Sequence, residues 1–408
     1  MEPPDRDIAA QLTMMGILGA RIPPVPISRR FRLELTLGTL VASLFLFAYL
    51  ALIPLLVWAV YWLAAASRSP MGSTALMTVG CFLILSLLNP LVARPIPQAE
   101  AHLLEPQKEP LLFAFVRELA AAAGMPEPSQ IAVDCNVNCS CVFTGGITGL
   151  FRRDFVLVIG LPLVADMRLD QMAGVLAHEL GHAALTMAIR ASRLIWSVNA
   201  WFSRVVSESD EFDERLRAWR EAGWLSRLAS PLAQVIFQPG RAVLRLLMAG
   251  TSAASSIFLR RMEREADCYQ LRVAGTEGFI SAVLAVNLLA VAAQRALVEL
   301  SRMKREGRLV DNYPGLIAVI RRRYSAGFVQ HLFAGLEEAE TGFFSAHPCD
   351  KDRMDLARAE SVQGIVTAAL PAAVLFADCE ALCHEVTLEF YEQELGLSGE
   401  SCELVPYA

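Results

Sequence analysis

No charge interrupts residues 35–66, a run of 32 positions, or residues 71–93, a run of 23. A helix rises about 1.5 Å per residue and bilayer hydrocarbon is roughly 30 Å thick, so each run is long enough to cross it. Residues 67–70 leave room only for a tight turn, and the pattern predicts a transmembrane helical hairpin over residues 33–94. Pro54 predicts a tilt or bend in the longer run, and Trp58, Tyr61 and Trp62 suit a membrane interface. Further on the pattern changes character. Residues 111–123 have helical periodicity with Gly124 as a stop. Residues 131–134, 139–144 and 155–159 read as three short strands, with Gly145, Gly146 and Gly149 between the last two. Met172, Val175, Leu176 and Leu180 recur at helical spacing, and Asp170 is the expected N-terminal cap.

Residues 183–206 and 241–259 are largely apolar, and residues 208–221 between them are charged. Arg190, Arg193 and Arg204 would be costly at a bilayer centre, so long helices on or beside the membrane are expected there, with two further spans, four in all, as the alternative. A long helix over residues 277–300 completes a fold that is mainly α with a small β-sheet. Ahead of the hairpin, residues 8–20 suit a short amphipathic helix at a membrane surface, and no signal-peptide pattern is present. The expected organisation is an N-terminal segment (1–32), the hairpin (33–94), one catalytic domain (95–360) and a C-terminal extension (361–408).

Composition agrees with a membrane protein: 54% of residues are hydrophobic and mean hydropathy is +0.42. A net charge of −6 and the lack of a basic, aromatic-interleaved patch argue against nucleic acid as a partner. Arg29, Arg30 and Arg32 before the first run and Arg94 after the second predict that both ends of the hairpin face the cytoplasm. Nine cysteines without a C-x-x-C pair fit reduced thiols in that compartment.

The chemistry gathers at two places. In His178-Glu179-Leu180-Gly181-His182 the histidines are four apart, on one helical face, able to grip one metal ion. Glu179 then sits where a general base is needed for an attacking water. Leu185 and Ala188 stand where the longer metzincin motif needs glycine and histidine, so a further ligand must come from elsewhere. Glu263 and Asp267, also four apart, supply one: Glu263 as the third ligand and Asp267 as the group that orients a ligating histidine. Taken singly, the histidines also fit a satisfied core pair and residues 260–267 a solvated charged face; together they point to a metal centre.

These two motifs and the upstream apolar runs resemble the integral-membrane zinc peptidases of the HtpX and CAAX prenyl endopeptidase family. Weaker likeness lies in Val137-Asn138, in residues 142–146, in Ile159-Gly160-Leu161, and in Ala346-His347-Pro348 with Arg353 downstream. The resemblance implies a zincin-like domain and a gluzincin endopeptidase holding one Zn2+ per chain through His178, His182 and Glu263. It also implies protein or peptide substrates, a lipid bilayer of plasma-membrane type, and a share in membrane-protein quality control. Strand 139–144 would bind extended peptide along its edge, although Cys139-Ser140 separates Asn138 from the residues that usually follow it. His347 would steady the oxyanion. A catalytically silent zinc-binding membrane scaffold is the alternative, and processing of lipidated substrates in an intramembrane chamber ranks below it for want of spans.

Overall fold

The computed structural model describes residues 6–23, 29–92, 101–143, 154–188, 224–342, 347–396 and 402–407. The expectations for Arg94, for Gly145, Gly146 and Gly149, for Arg190, Arg193 and Arg204, and for residues 208–221 lie outside them.

The two apolar runs form helices α2 (Arg29–Ala66) and α3 (Pro70–Val92), packed on each other. They pack tightly at Gly80, where an added Cβ would collide with the Val60 side chain. The Tyr49 hydroxyl donates to the Leu87 carbonyl across the same interface. The outer faces are bare: Leu40, Leu44, Phe47, Trp58 and Tyr61 on α2, and Met71, Met77 and Leu85 on α3, are all more than half exposed.

Helix α1 (Arg6–Met14) precedes the hairpin. Its site corrects the expectation of a membrane-surface helix, because Leu12 and the following Ile17 are fully buried in the main core. There they meet Leu112 and Phe115 of α4 (Pro110–Ala123), and the Ile22 amide donates to the Ala122 carbonyl at 2.8 Å. Gly124 closes α4 in the left-handed conformation, as its sequence position implies.

Strands β1 (His102–Leu103), β2 (Gln130–Asp134), β3 (Cys139–Phe143) and β4 (Phe155–Gly160) form one sheet in the order β1-β2-β4-β3. β4 runs parallel to β2 and antiparallel to β3, which leaves β3 at the edge among the described residues. A short helix α5 (Leu161–Asp166) leads into α6 (Leu169–Ala188). Met172, Ala173, Leu176, Ala177, Leu180 and Ala183 make the buried stripe of α6.

Helix α7 (Trp224–Arg305) is two limbs joined at Gly275, whose φ of 76° and ψ of 172° break the helix. An added Cβ there would lie 2.6 Å from the Gly364 nitrogen, so the joint needs glycine both for its conformation and for the chain that crosses it. The helix packs along α6, and its second limb contributes Ala282, Ala285, Leu289, Ala292 and Ala296 to the main core. The first limb lies against both α2 and α3. It turns Thr251, Ser255 and Ser256 inward and Leu246 and Ile257 outward.

Strand β5 (Arg308–Val310) and helices α8 (Tyr313–Arg322), α9 (Ala326–Glu338) and α10 (Asp350–Glu360) follow. The C-terminal part is no free appendage. Helix α11 (Cys379–Leu395) buries Cys383, Val386 and Tyr391 in the main core, and β6 (Glu403–Val405) pairs parallel with β5.

Candidate metal centre

The start of α6 is fixed by Gln171, whose side-chain oxygen accepts the Arg168 amide at 2.9 Å, the returning half of a capping box. Asp170, the expected cap, instead takes the Arg168 guanidinium at 2.6 Å. About three turns later Gly181 lets α7 come close: a Cβ there would meet the Tyr269 ring at 3.0 Å and the Ala266 Cα at 3.4 Å. This crossing sets Glu263 of α7 opposite the two histidines of α6.

Nε2 of His178 and Nε2 of His182 are 3.0 Å apart. Glu263 Oε2 lies 3.5 Å from the first and Glu263 Oε1 lies 3.4 Å from the second. Ligand bonds near 2.1 Å in a tetrahedron put neighbouring donor atoms roughly 3.4 Å apart, so the three groups fit one such ion. Two imidazoles and one carboxylate are also the donor set that zinc takes in hydrolytic sites.

Electrostatics single out the same point. Burial works against charge on His178, but Asp267 and Glu263 outweigh it and push its pKa up to about 9. Burial likewise opposes ionisation of Glu263, yet hydrogen bonds from His178, His182 and His347 hold its carboxyl far below the usual range. A cation is favoured where the three groups meet.

Behind His178, Asp267 is fully buried with Oδ1 3.1 Å from Nδ1, a contact that lies off the straight N–H direction. Its other bonds go to Arg353 of α10, which grips both oxygens at 2.7–3.2 Å. Burial again opposes charge, and Arg353 overrides it, so Asp267 stays below the ordinary carboxylate range. His182 Nδ1 is buried and has no such support among the described residues.

Glu179 is half-buried, and burial pushes its carboxyl up against the pull of His182 and His178. Its carbonyl accepts the Cys141 thiol at 3.3 Å, which ties α6 to edge strand β3. Asn138 and Gly160, quoted above from separate motifs, meet as well: the Gly160 amide donates to the Asn138 carbonyl at 2.8 Å.

His347 reaches the centre from a loop, with Nδ1 2.8 Å from Glu263 Oε1 and about two-thirds of its side chain exposed. Its neighbour Ala346 lies outside the described residues. His384 packs by bonding the Asp311 carbonyl. His102, Glu385 and Glu389 bring three more donors together at the surface, where Glu389 already engages His102 at 2.8 Å. The fold brings together His178, His182, Glu263, Asp267 and His347, the positions that the sequence motifs had singled out. Sequence reasoning missed Gly181 and Tyr269, for which a glycine inside an otherwise strong helix was the available signal.

A family model described as Peptidase family M48 matches residues 106–361. Among curated proteins, Protease HtpX of Acinetobacter baylyi is 28% identical over 181 residues, 44% of this chain. The matched stretch is 56% of that protein, so the chain spans about half the length of this relative. No solved structure matches significantly.

Proposed function

The chain belongs to peptidase family M48, and from that premise we propose that it is a membrane-anchored, zinc-dependent endopeptidase acting on protein substrates. The observation that carries this reading is the meeting of His178, His182 and Glu263 around one point with Glu179 beside it. Zinc held by these three would act as a Lewis acid and activate water at neutral pH.

The chain's own groups do the remaining work. Glu179 takes the proton of the attacking water and delivers it to the leaving amine; its raised pKa brings it closer to the range where both transfers are easy. His347, an exposed imidazole beside Glu263, donates a hydrogen bond to the oxyanion. Arg353 and Asp267 hold His178 in orientation. β3, an edge strand bound to α6 through Cys141, offers unpaired backbone groups to an extended peptide.

The membrane part of the reading is supported by the bare apolar faces of α2 and α3, since soluble monomers rarely leave such patches uncovered. The small polar residues between the helices and the large apolar ones outside fit a first limb of α7 that lies in the bilayer with them. The arginines before α2 favour the cytoplasm for the catalytic domain.

Glu179→Gln tests the chemistry. The purified variant should retain one zinc per chain and lose casein cleavage by at least about a thousandfold, the range of a lost general base plus its misplaced water. His178→Ala and Glu263→Ala should lose the metal. Full activity in Glu179→Gln, or a wild-type protein that is metal-free and inert when supplied with zinc, ends the proposal.

A further inference from the structure

The loop that delivers His347 is anchored by a side chain that the chemistry above does not use. α10 begins at Asp350, with Cys349 as its N-cap. In a capping box the residue three places after the cap accepts the cap's own amide. Here that residue is Asp352, whose side chain is one carbon shorter than the usual glutamate. The Thr341 hydroxyl stands between the two: it accepts the Cys349 amide at 2.8 Å and donates to Asp352 Oδ2 at 2.6 Å. One hydroxyl therefore caps the helix and joins the two ends of the loop.

Two further ties act at the same neck. The Cys349 thiol donates to the Ala339 carbonyl at 3.3 Å, and Arg260 of α7 donates to the Gly342 carbonyl at 3.3 Å. His347 lies two residues before the cap with most of its side chain exposed, so beyond its contact with Glu263 its placement rests on this neck. Next to Asp352 in the same turn is Arg353, whose grip on Asp267 fixes the helix to the metal centre. The latch and the anchor are adjacent residues.

We propose that Thr341 is a positioning residue of the peptidase: through Asp352 and the Cys349 amide it holds His347 at the metal centre. This rests on the role given to His347 above. Thr341→Val keeps the shape and removes both bonds, whereas Thr341→Ser keeps the hydroxyl.

In the full-length, zinc-loaded protein, Thr341→Val should keep its metal and its KM within twofold while kcat falls by about tenfold or more, the scale of a catalytic group misplaced by a fraction of an ångström. Thr341→Ser should restore kcat to within about threefold of wild type. Combined with His347→Ala, Thr341→Val should cost nothing further, as for two residues acting through one group. Hydrogen exchange gives an answer independent of activity: the peptide containing Cys349 should exchange faster in Thr341→Val, with the α6 peptide unchanged.

Unchanged exchange and kcat in Thr341→Val would overturn the latch, as would loss of metal or full additivity with His347→Ala. Full activity in His347→Ala would overturn the oxyanion role, and with it the catalytic consequence of the latch. Full activity in Glu179→Gln, by contrast, would strike the peptidase mechanism and leave the exchange result standing.

Discussion

Asp267 shows how much of the proposed metal centre depends on a group outside the candidate ligand set. It is fully buried, yet it stays ionised because Arg353 approaches both of its oxygens, and its remaining reach is spent on His178. Replacing it with asparagine keeps the volume and removes the charge. Two losses follow. The guanidinium is left facing a neutral amide, and breaking one side of such a pair costs on the order of 3 kcal/mol. His178 also loses the partner that favours its orientation, a change that typically weakens metal binding by about 10–100-fold. Asp267→Asn should therefore melt several degrees lower and need correspondingly more free zinc for half-saturation, read by thermal denaturation and equilibrium dialysis. An unchanged melt together with wild-type zinc affinity would mean that Asp267 neither supports His178 nor balances Arg353.

At the level of elements, what brings two distant motifs together is the crossing of α6 and α7, and its tightest point is Gly181. Valine there would push its Cβ against the Tyr269 ring and its γ-carbons toward the Ala266 backbone. Overpacking of this kind costs about 1–3 kcal/mol and is relieved by moving the helices apart. Because Glu263 lies one turn from Ala266, that movement takes the carboxylate away from His178 and His182. Gly181→Val should lower both the melting temperature and zinc affinity, while Gly181→Ala, which needs only a small shift of a ring, should do much less. The crossing also marks where sequence reasoning ran out. Spacing alone put His178 with His182 and Glu263 with Asp267, because a helix turns by a fixed angle per residue. The three strands could be read from short β-rich runs between glycines, and they are found within a residue of those limits at each end. Nothing local, however, says that Gln171 rather than Asp170 caps α6, since that choice depends on Arg168 capturing the aspartate. Nor does local pattern reveal a break at Gly275, where the reason is a chain segment arriving from residue 364.

Over the whole molecule, α1 carries information that its own sequence does not. An amphipathic stretch next to a membrane span reads as a surface helix, and only the packing reveals that its apolar face is covered by α4. That contact constrains topology. α1 precedes α2 and the α4 domain follows α3, so if α2 and α3 cross a bilayer as proposed, their shared core requires the chain to enter and leave the hairpin on one side of it. The Glu34–Arg261 ion pair at 3.0 Å, joining the beginning of α2 to the helix that carries Glu263, lies on that same side. The turn containing Arg68 and Ser69 must then emerge on the other. A cysteine at each end tests this in intact cells with a membrane-impermeant maleimide, the unmodified chain serving as the blank for its native thiols. Ser69→Cys should be labelled without permeabilisation. Arg6→Cys, exposed at the start of α1, should be labelled only after it. Labelling of both positions from outside would separate α1 from the catalytic domain, and a reversed pattern would turn the catalytic domain away from the cytoplasm.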